Sequence, residues 1–358
     1  MDINQLILKA LEYGASDLHI KPEVKPVLRI NGTLKAMDGP PFQKEDTENL
    51  ARQILSDKKF STLQEWGEVD VSLADTTMGI FRINVFKQLS GYAIAIRVLD
   101  ARVPTMEELE LPETVTTLAR RKQGLILVTG PTGSGKSTTL ASMINLINNE
   151  KKRHVITLED PFEYIHENNK SIITQREIGR DSASFPGALR AALRQDPDVI
   201  LVGEMRDLET MSIAVTAAET GHLVLSTLHT IDAAQTVERI VDVFPPNQQY
   251  QVRVQLANSL AGILSQRLLN RADGSGEIAA FEVLVCNQAV RNMIRNGKTH
   301  QVHSMMQTGS KQGMQTLDKH IQILYEEGYI SYDEAMERAN DSETLKSVLN
   351  KKLNNNKV

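Results

Sequence analysis

The chain has 358 residues, 41% hydrophobic and 24% charged, with a formal net charge of −5, a length that suits two domains and a small appendage. Its longest apolar runs, Leu125 to Val128 and Val199 to Val202, are far too short to cross a bilayer, so no membrane insertion is expected. The acidic balance offers nucleic acid no bulk attraction, and a single cysteine, Cys286, excludes a disulfide framework or a thiolate zinc cage within one chain and reads as a small buried hydrophobe.

The N-terminus carries Asp2, Asn4 and Gln5 in place of a basic segment followed by an apolar one, so no secretory signal is read and cytoplasmic residence is expected. Residues 1–100 read as a small α+β domain, with helical patterns at 3–13 and 44–55, strand patterns at 27–30, 80–85 and 93–98, and Gly32 in a turn. Pro104 and Pro112 mark 101–115 as a linker, and Arg120-Arg121-Lys122 reads as a solvated helix end. From Gly124 onward apolar strands alternate with helices, the pattern of a parallel sheet with crossover connections. Strands are predicted at 125–129, 154–159, 199–202 and 223–226, and helices at 136–148, 185–194, 208–219 and 233–241. A further helix is predicted over 247–269, closing a core of 116–270. The loop Asp273-Gly274-Ser275-Gly276 opens a helical C-terminal region, 271–350, and the Lys- and Asn-rich 351–358 reads as a disordered tail.

Gly130-Pro131-Thr132-Gly133-Ser134-Gly135-Lys136-Ser137 fits G-x-x-x-x-G-K-[ST], after an apolar strand and at the opening of a helix. Glycines let the backbone wrap closely and aim successive N–H groups at phosphate oxygens, and the helix N-terminus adds partial positive charge. ATP is the implied ligand, with Lys136 reaching the β- and γ-phosphates, the Ser137 hydroxyl ligating Mg2+, and Thr138 following in the same turn. Hydrolysis needs acids from neighbouring strand ends. Val199 to Val202 is an apolar strand running into Gly203-Glu204-Met205-Arg206-Asp207, a position from which Glu204 holds Mg2+ through water. Glu159-Asp160-Pro161-Phe162-Glu163 also follows an apolar strand, and Glu163 is a candidate to orient and deprotonate water; taken alone, it reads as a solvated loop acid. His222 and His229 bracket Leu223 to Leu228, and the extended chain between them spans roughly 23 Å, too far for both to share one metal. His229 stands at the carboxyl end, where ligands bind such sheets, and is a candidate γ-phosphate sensor. For His222 a satisfied structural role stands beside any functional one.

These boxes, in this order, resemble the type II/IV secretion ATPase family, whose members carry Walker A, Asp box, Walker B and His box along the chain. The resemblance covers nearly the whole sequence: Ala15-Ser16-Asp17-Leu18-His19 is similar to the N-terminal signature, and Val243-Phe244-Pro245-Pro246 to the motif after the His box. Within the family the chain looks most like the retraction ATPases of type IV pili. It carries neither the longer N-terminal region nor the four-cysteine zinc site of the extension and secretion branches. Ala289-Val290-Arg291-Asn292-Met293-Ile294-Arg295 is similar to the AIRNLIRE signature, with Asn296 standing in place of its acid.

The resemblance implies an α/β fold: a RecA-like P-loop ATPase core, a smaller N-terminal α+β PAS-like domain and a helical C-terminal appendage, assembled as a homo-hexamer. It implies an Mg2+-dependent ATPase that powers pilus retraction and twitching motility. The partner would be the inner-membrane platform protein at the pilus base, reached from the cytoplasmic face. It implies nucleotide contacts from Arg82 and Arg97, which from sequence alone read as strand-surface charges, and points to Arg206, Arg291 and Arg295 as further motif residues. An accessory retraction ATPase, a pushing secretion motor and a nucleotide-gated scaffold with little turnover stand as alternatives, as does a nucleic-acid translocase, which the acidic charge opposes.

Overall fold

The computed structural model describes residues 2–75, 78–99 and 102–355. The chain divides into two compact units, one of Met1–Val103 with Pro161–Ile165, the other of Pro104–Asp160 and His166–Val358.

In the first unit α1 (Ile3–Glu12) leads into β1 (Asp17–Ile20), β2 (Val27–Ile30) and β3 (Thr33–Ala36). Then α2 (Lys44–Ile54) and α3 (Asp57–Trp66) precede β4 (Glu68–Asp75), β5 (Gly79–Gln88) and β6 (Gly91–Leu99). The strands form one antiparallel sheet in the order β3-β2-β1-β6-β5-β4. Alternation decides its faces: Phe81, Ile83 and Val85 bury in one core with Leu6, Ile7, Leu50 and Leu63 of the helices, while Arg82 and Asn84 between them face the other way. Asn31 and Gly32 form the whole turn from β2 to β3 with φ of 48° and 78°, the left-handed pair that a two-residue hairpin requires.

The second unit opens with α4 (Glu113–Ala119), β7 (Gly124–Thr129), α5 (Lys136–Glu150), β8 (His154–Glu159) and β9 (Ile172–Glu177). It continues through α6 (Phe185–Ala192), β10 (Val199–Val202), α7 (Leu208–Glu219), β11 (Leu223–Leu228), α8 (Ala233–Asp242) and α9 (Pro246–Ser259). There follow β12 (Leu260–Asn270), β13 (Glu277–Val285), α10 (Gln288–Arg295), α11 (Val302–Thr308), α12 (Leu317–Glu326), α13 (Tyr332–Arg338) and α14 (Ser342–Asn355). This is the RecA-like core: a sheet in the order β13-β12-β7-β11-β10-β8-β9, parallel except for β13. Successive residues of its central strands feed opposite faces. Leu125, Leu127, Ile156, Ile200 and Val224 pack with α6 to α9, whereas Ile126, Val128, Val155, Leu201 and Leu225 pack with α4 and α5. Burial on both faces is why these strands read as unbroken apolar runs.

The structure corrects several expectations. The helix predicted over 247–269 stops at Ser259, and the following apolar run is β12. A run of this kind fits either period, and packing decides: beside β7, a Cβ on Gly262 would lie 2.8 Å from Leu118 Cδ1 and 2.9 Å from the Leu284 carbonyl oxygen, an approach that only a bare backbone makes. The region expected to be helical from 271 begins with β13, which completes the hairpin with β12 before the helices start. In the stretch expected to be a disordered tail, α14 continues to Asn355, anchored by the burial of Leu345 and Leu349 in the core of α12 and α13; residues 356–358 lie outside the described residues. Pro161–Ile165, expected within the 116–270 core, groups with the first unit.

Strand β13 is an edge, and an open edge templates pairing with other strands. Here Val283 exchanges backbone bonds of 2.9 and 3.0 Å with Gln315. The Phe281 N–H donates to His320 Nδ1 at 2.9 Å, and Gln315 Nε2 donates to the Phe281 carbonyl at 3.1 Å. Glu282, on the opposite face of the strand, accepts the Ala233 N–H at the start of α8 at 2.8 Å.

Burial pushes His320 down to about 4 and pushes Glu282 up to about 7 against the pull of the Ala233 N–H, because each is disfavoured as an ion in a dry interior. For His320 the folded value lies below its ordinary 6.5, so its contribution is complete above pH 6.5 and is lost as pH falls through 4. For Glu282 the folded value lies above 4.5, so its contribution is complete below pH 4.5 and is lost as pH rises through 7. Each shift corresponds to roughly 3 kcal/mol. In urea unfolding followed against pH, His320→Gln, which keeps an acceptor for Phe281, is expected to shrink the acid-side loss. Glu282→Gln is expected to shrink the loss between about pH 4.5 and 7, and an unaltered profile in either variant would count against its assignment.

Candidate active site

The phosphate loop leaves the carboxyl end of β7 and enters α5 through Gly135, whose φ of 81° is left-handed. Gly130, at φ 145°, lies so close to β12 that a Cβ there would be 2.3 Å from the Gln266 carbonyl oxygen, which only glycine escapes. Pro131, Thr132 and Gly133 are exposed at the crest, Ser134 is buried beneath it, and Ser137 and Thr138 are half-buried in the first turn of α5. Lys136 is buried, and its ammonium donates to the carbonyls of Gly130 at 2.9 Å and Pro131 at 2.8 Å. Its positive charge is therefore held within the curve of the loop.

Glu204 follows β10, two strands away across β11. Two strand spacings amount to roughly 10 Å, a gap of the size that phosphates and a cation occupy. The end of β10 is pinned to β11: Ser226 Oγ donates to the Val202 carbonyl at 2.7 Å and Thr227 Oγ1 to the Gly203 carbonyl at 2.6 Å. On the other side the Gly203 N–H donates to the Leu158 carbonyl of β8 at 2.8 Å. The Glu204 carboxylate lies between Arg206, whose Nε is 2.6 Å from one oxygen, and His229, whose Nε2 is 3.8 Å from the other. Glu204, Arg206 and His229, singled out separately in the sequence, are thus one cluster. The oxygen donors of Ser137 and Glu204 are hard ligands of the kind Mg2+ takes, so the residues present fit that ion.

The structure does not bring every candidate to this edge. His222 lies at the opposite end of β11, where its Nδ1 is 3.0 Å from the Ala217 carbonyl and its own carbonyl accepts the Gly124 N–H at 3.0 Å; it closes the end of α7. Arg291 on α10 donates to the carbonyls of Ala257 at 2.6 Å and Asn258 at 2.5 Å, and Arg295 donates to Asn258 Oδ1 at 3.0 Å. Both arginines tie α10 to the C-terminal end of α9. Glu159 closes β8 and accepts from Gln175 Nε2 at 3.4 Å, while Glu163 falls in the segment that groups with the first unit.

In the first unit Arg82 and Arg97 are direct cross-strand partners on β5 and β6, so the two guanidinium groups share one face. Arg97 Nε is 2.9 Å from Asp17 Oδ1, and Arg29 Nε approaches the same carboxylate at 3.8 Å. Burial pushes the Asp17 carboxyl up, but the hydrogen bonds from Arg97 and Ser16 outweigh it and hold Asp17 below the usual carboxylate range.

Two features escaped the sequence reading. A cavity of about 330 Å³ adjoins the loop, lined by Gly135, Thr138 and Thr139 on one side and Leu268, Arg271 and Ile278 on the other. Gln266, in the polar trio Ser265-Gln266-Arg267 between apolar Leu260 to Leu264 and Leu268-Leu269, reaches the loop from β12. Its polarity between those apolar segments was the signal.

A family profile described as type II/IV secretion system protein matches residues 1–278. The type IV pilus retractation ATPase PilT of Pseudomonas aeruginosa is 45% identical over 339 residues, covering 95% of this chain and 98% of its own. A twitching motility protein of Neisseria gonorrhoeae is 46% identical over 320 residues, covering 89% of this chain and 86% of its own. A crystal structure of the pilus retraction motor PilT with bound ADP superposes with a TM-score of 0.89 at 50% identity, covering 97% of this chain and 99% of that one. With the profile spanning most of its length and such relatives spanning nearly all of it, the chain belongs to the type II/IV secretion system protein family.

Proposed function

We propose that this protein is the ATP-hydrolysing motor of type IV pilus retraction, working as a homo-hexamer at the cytoplasmic face of the inner membrane. The observation that carries the reading is the Glu204 carboxylate flanked by Arg206 and His229 at the sheet edge that also bears the phosphate loop. The PilT relatives supply the biological setting.

ATP lays its phosphates along the loop amides and the N-terminus of α5, and its nucleoside enters the cavity beside Thr138 and Leu268. Lys136 exchanges the carbonyls of Gly130 and Pro131 for phosphate oxygens, replacing neutral acceptors by charged ones. Ser137, and Glu204 through water, would hold Mg2+, which would supply neutralisation of phosphate charge. His229, against Glu204, responds to whether the γ-phosphate is present. Glu163 orients the attacking water and takes its proton, and Arg82 and Arg97 stabilise charge on the departing phosphoryl group. Loss of the γ-phosphate removes these contacts, and the resulting movement of the two units works on the platform protein.

Steady-state phosphate release tests the chemistry. Lys136→Ala is expected to lower turnover by at least about a hundredfold, and Glu204→Gln to lower kcat by a similar factor with a smaller change in KM, because the metal-holding contact strengthens in the transition state. Wild-type protein that is folded but shows no Mg2+-dependent turnover would defeat the motor reading. In cells, deletion of the gene is expected to leave excess surface pili and no twitching; a bald surface would indicate extension instead.

The two N-domain arginines should separate by their anchoring. Arg82→Ala is expected to reduce kcat with the melting temperature unchanged. Arg97→Ala is expected to reduce kcat and also to lower the melting temperature slightly, since it releases Asp17. Calorimetry beside kinetics on both variants checks this.

A further inference from the structure

We propose that Gln266 is a positioning residue for nucleotide binding, a bracket that fixes the phosphate loop to β12 and sets the aim of its amides. The proposal rests on the nucleotide-binding reading of that loop. Gln266 is 2% exposed, and a primary amide in such a place must find partners or destabilise the fold. Both of its ends are used on the loop and its helix. Its Nε2 donates to the Ser134 carbonyl, and its Oε1 accepts the Thr139 hydroxyl at 2.9 Å. Ser134 lies two residues before Lys136 and Thr139 two residues after Ser137. One rigid amide therefore straddles the two side chains that handle phosphate and cation.

The backbone of the same residue takes part. A Cβ on Gly130 would fall 2.3 Å from the Gln266 carbonyl oxygen, and one on Gly135 would fall 3.0 Å from its Nε2. Gly130 is thus required by the closeness of the residue 266 backbone, while Gly135, needed for its left-handed φ of 81°, lies against the Gln266 amide. One residue earlier, Ser265 Oγ accepts from Thr129 Oγ1 at 2.9 Å, fastening the last residue of β7 to the same strand. The loop is held at its root by Ser265 and along its length by Gln266. Loop amides meet phosphates equally in substrate and product, so the bracket acts on binding of ADP and ATP alike.

The test measures ADP affinity by titration calorimetry, ATP kinetics and thermal melting in Gln266→Met, which keeps the volume and loses both hydrogen bonds. The expected result is about a tenfold weaker ADP Kd and a matching rise in KM with kcat within about twofold, the pattern of lost uniform binding. Thr139→Val is expected to reproduce part of that loss, and Thr139→Ser, which keeps the hydroxyl, to restore it. A purely structural role would lower the melting temperature and leave the ADP affinity of folded protein unchanged, and that result overturns the proposal. Should Gln266→Met fail to fold, the Thr139 pair decides: equal ADP affinity in the Val and Ser variants also overturns it. Wild-type protein that binds no ADP would instead bring down the nucleotide reading itself.

Discussion

Four parallel strands, β7, β11, β10 and β8, run in a register that sets Thr129 beside Leu228, Ser226 beside Val202 and Val202 beside Leu158. The segments that follow each strand consequently emerge along one edge, at neighbouring heights. Backbone amides there have no further strand to pair with, and in open parallel sheets that is where ligands bind. The phosphate loop, the Glu204 loop, the His229 loop and the Glu159 corner all owe their proximity to this register. A shift of one residue between two strands would turn every side chain of one of them to the wrong face, and both packed faces of the sheet forbid it.

Two of the charges near this edge are compensated in place. Lys136 rests on two carbonyls of its own loop, and Glu204 rests between Arg206 and His229. Binding of a phosphate chain therefore exchanges existing partners for stronger ones and does not require bare buried ions. In the other unit, Asp17 does the same service for Arg97 and Arg29 across three adjacent strands.

The parallel core was legible in the sequence because strands buried on both faces leave solid apolar runs, as in Leu125 to Val128 and Val199 to Val202. The loop glycines and Glu204 were legible because their spacing relative to those runs has a chemical purpose. Strand β4 was present in the alternation of Val69, Val71 and Leu73 with Glu68, Asp70 and Ser72, a signal passed over between the helix pattern at 44–55 and the strand pattern at 80–85. Strand β12 was not legible, since Leu260 to Leu269 suits either period and only the fit of Gly262 against Leu118 and β13 decides. The anchoring of Arg291 was hidden for a similar reason. An arginine on a short helix looks solvated until the chain ends it satisfies, here the last carbonyls of α9, come into place.

The sealing of β13 has a bearing on assembly. With Gln315 bonded to Val283 and His320 to Phe281, the outward backbone N–H groups at the middle of that flank are already taken. The sheet cannot lengthen there by annexing a strand. A copy meeting the molecule at these positions would do so through side chains, a contact that can loosen and re-form without unzipping main-chain bonds.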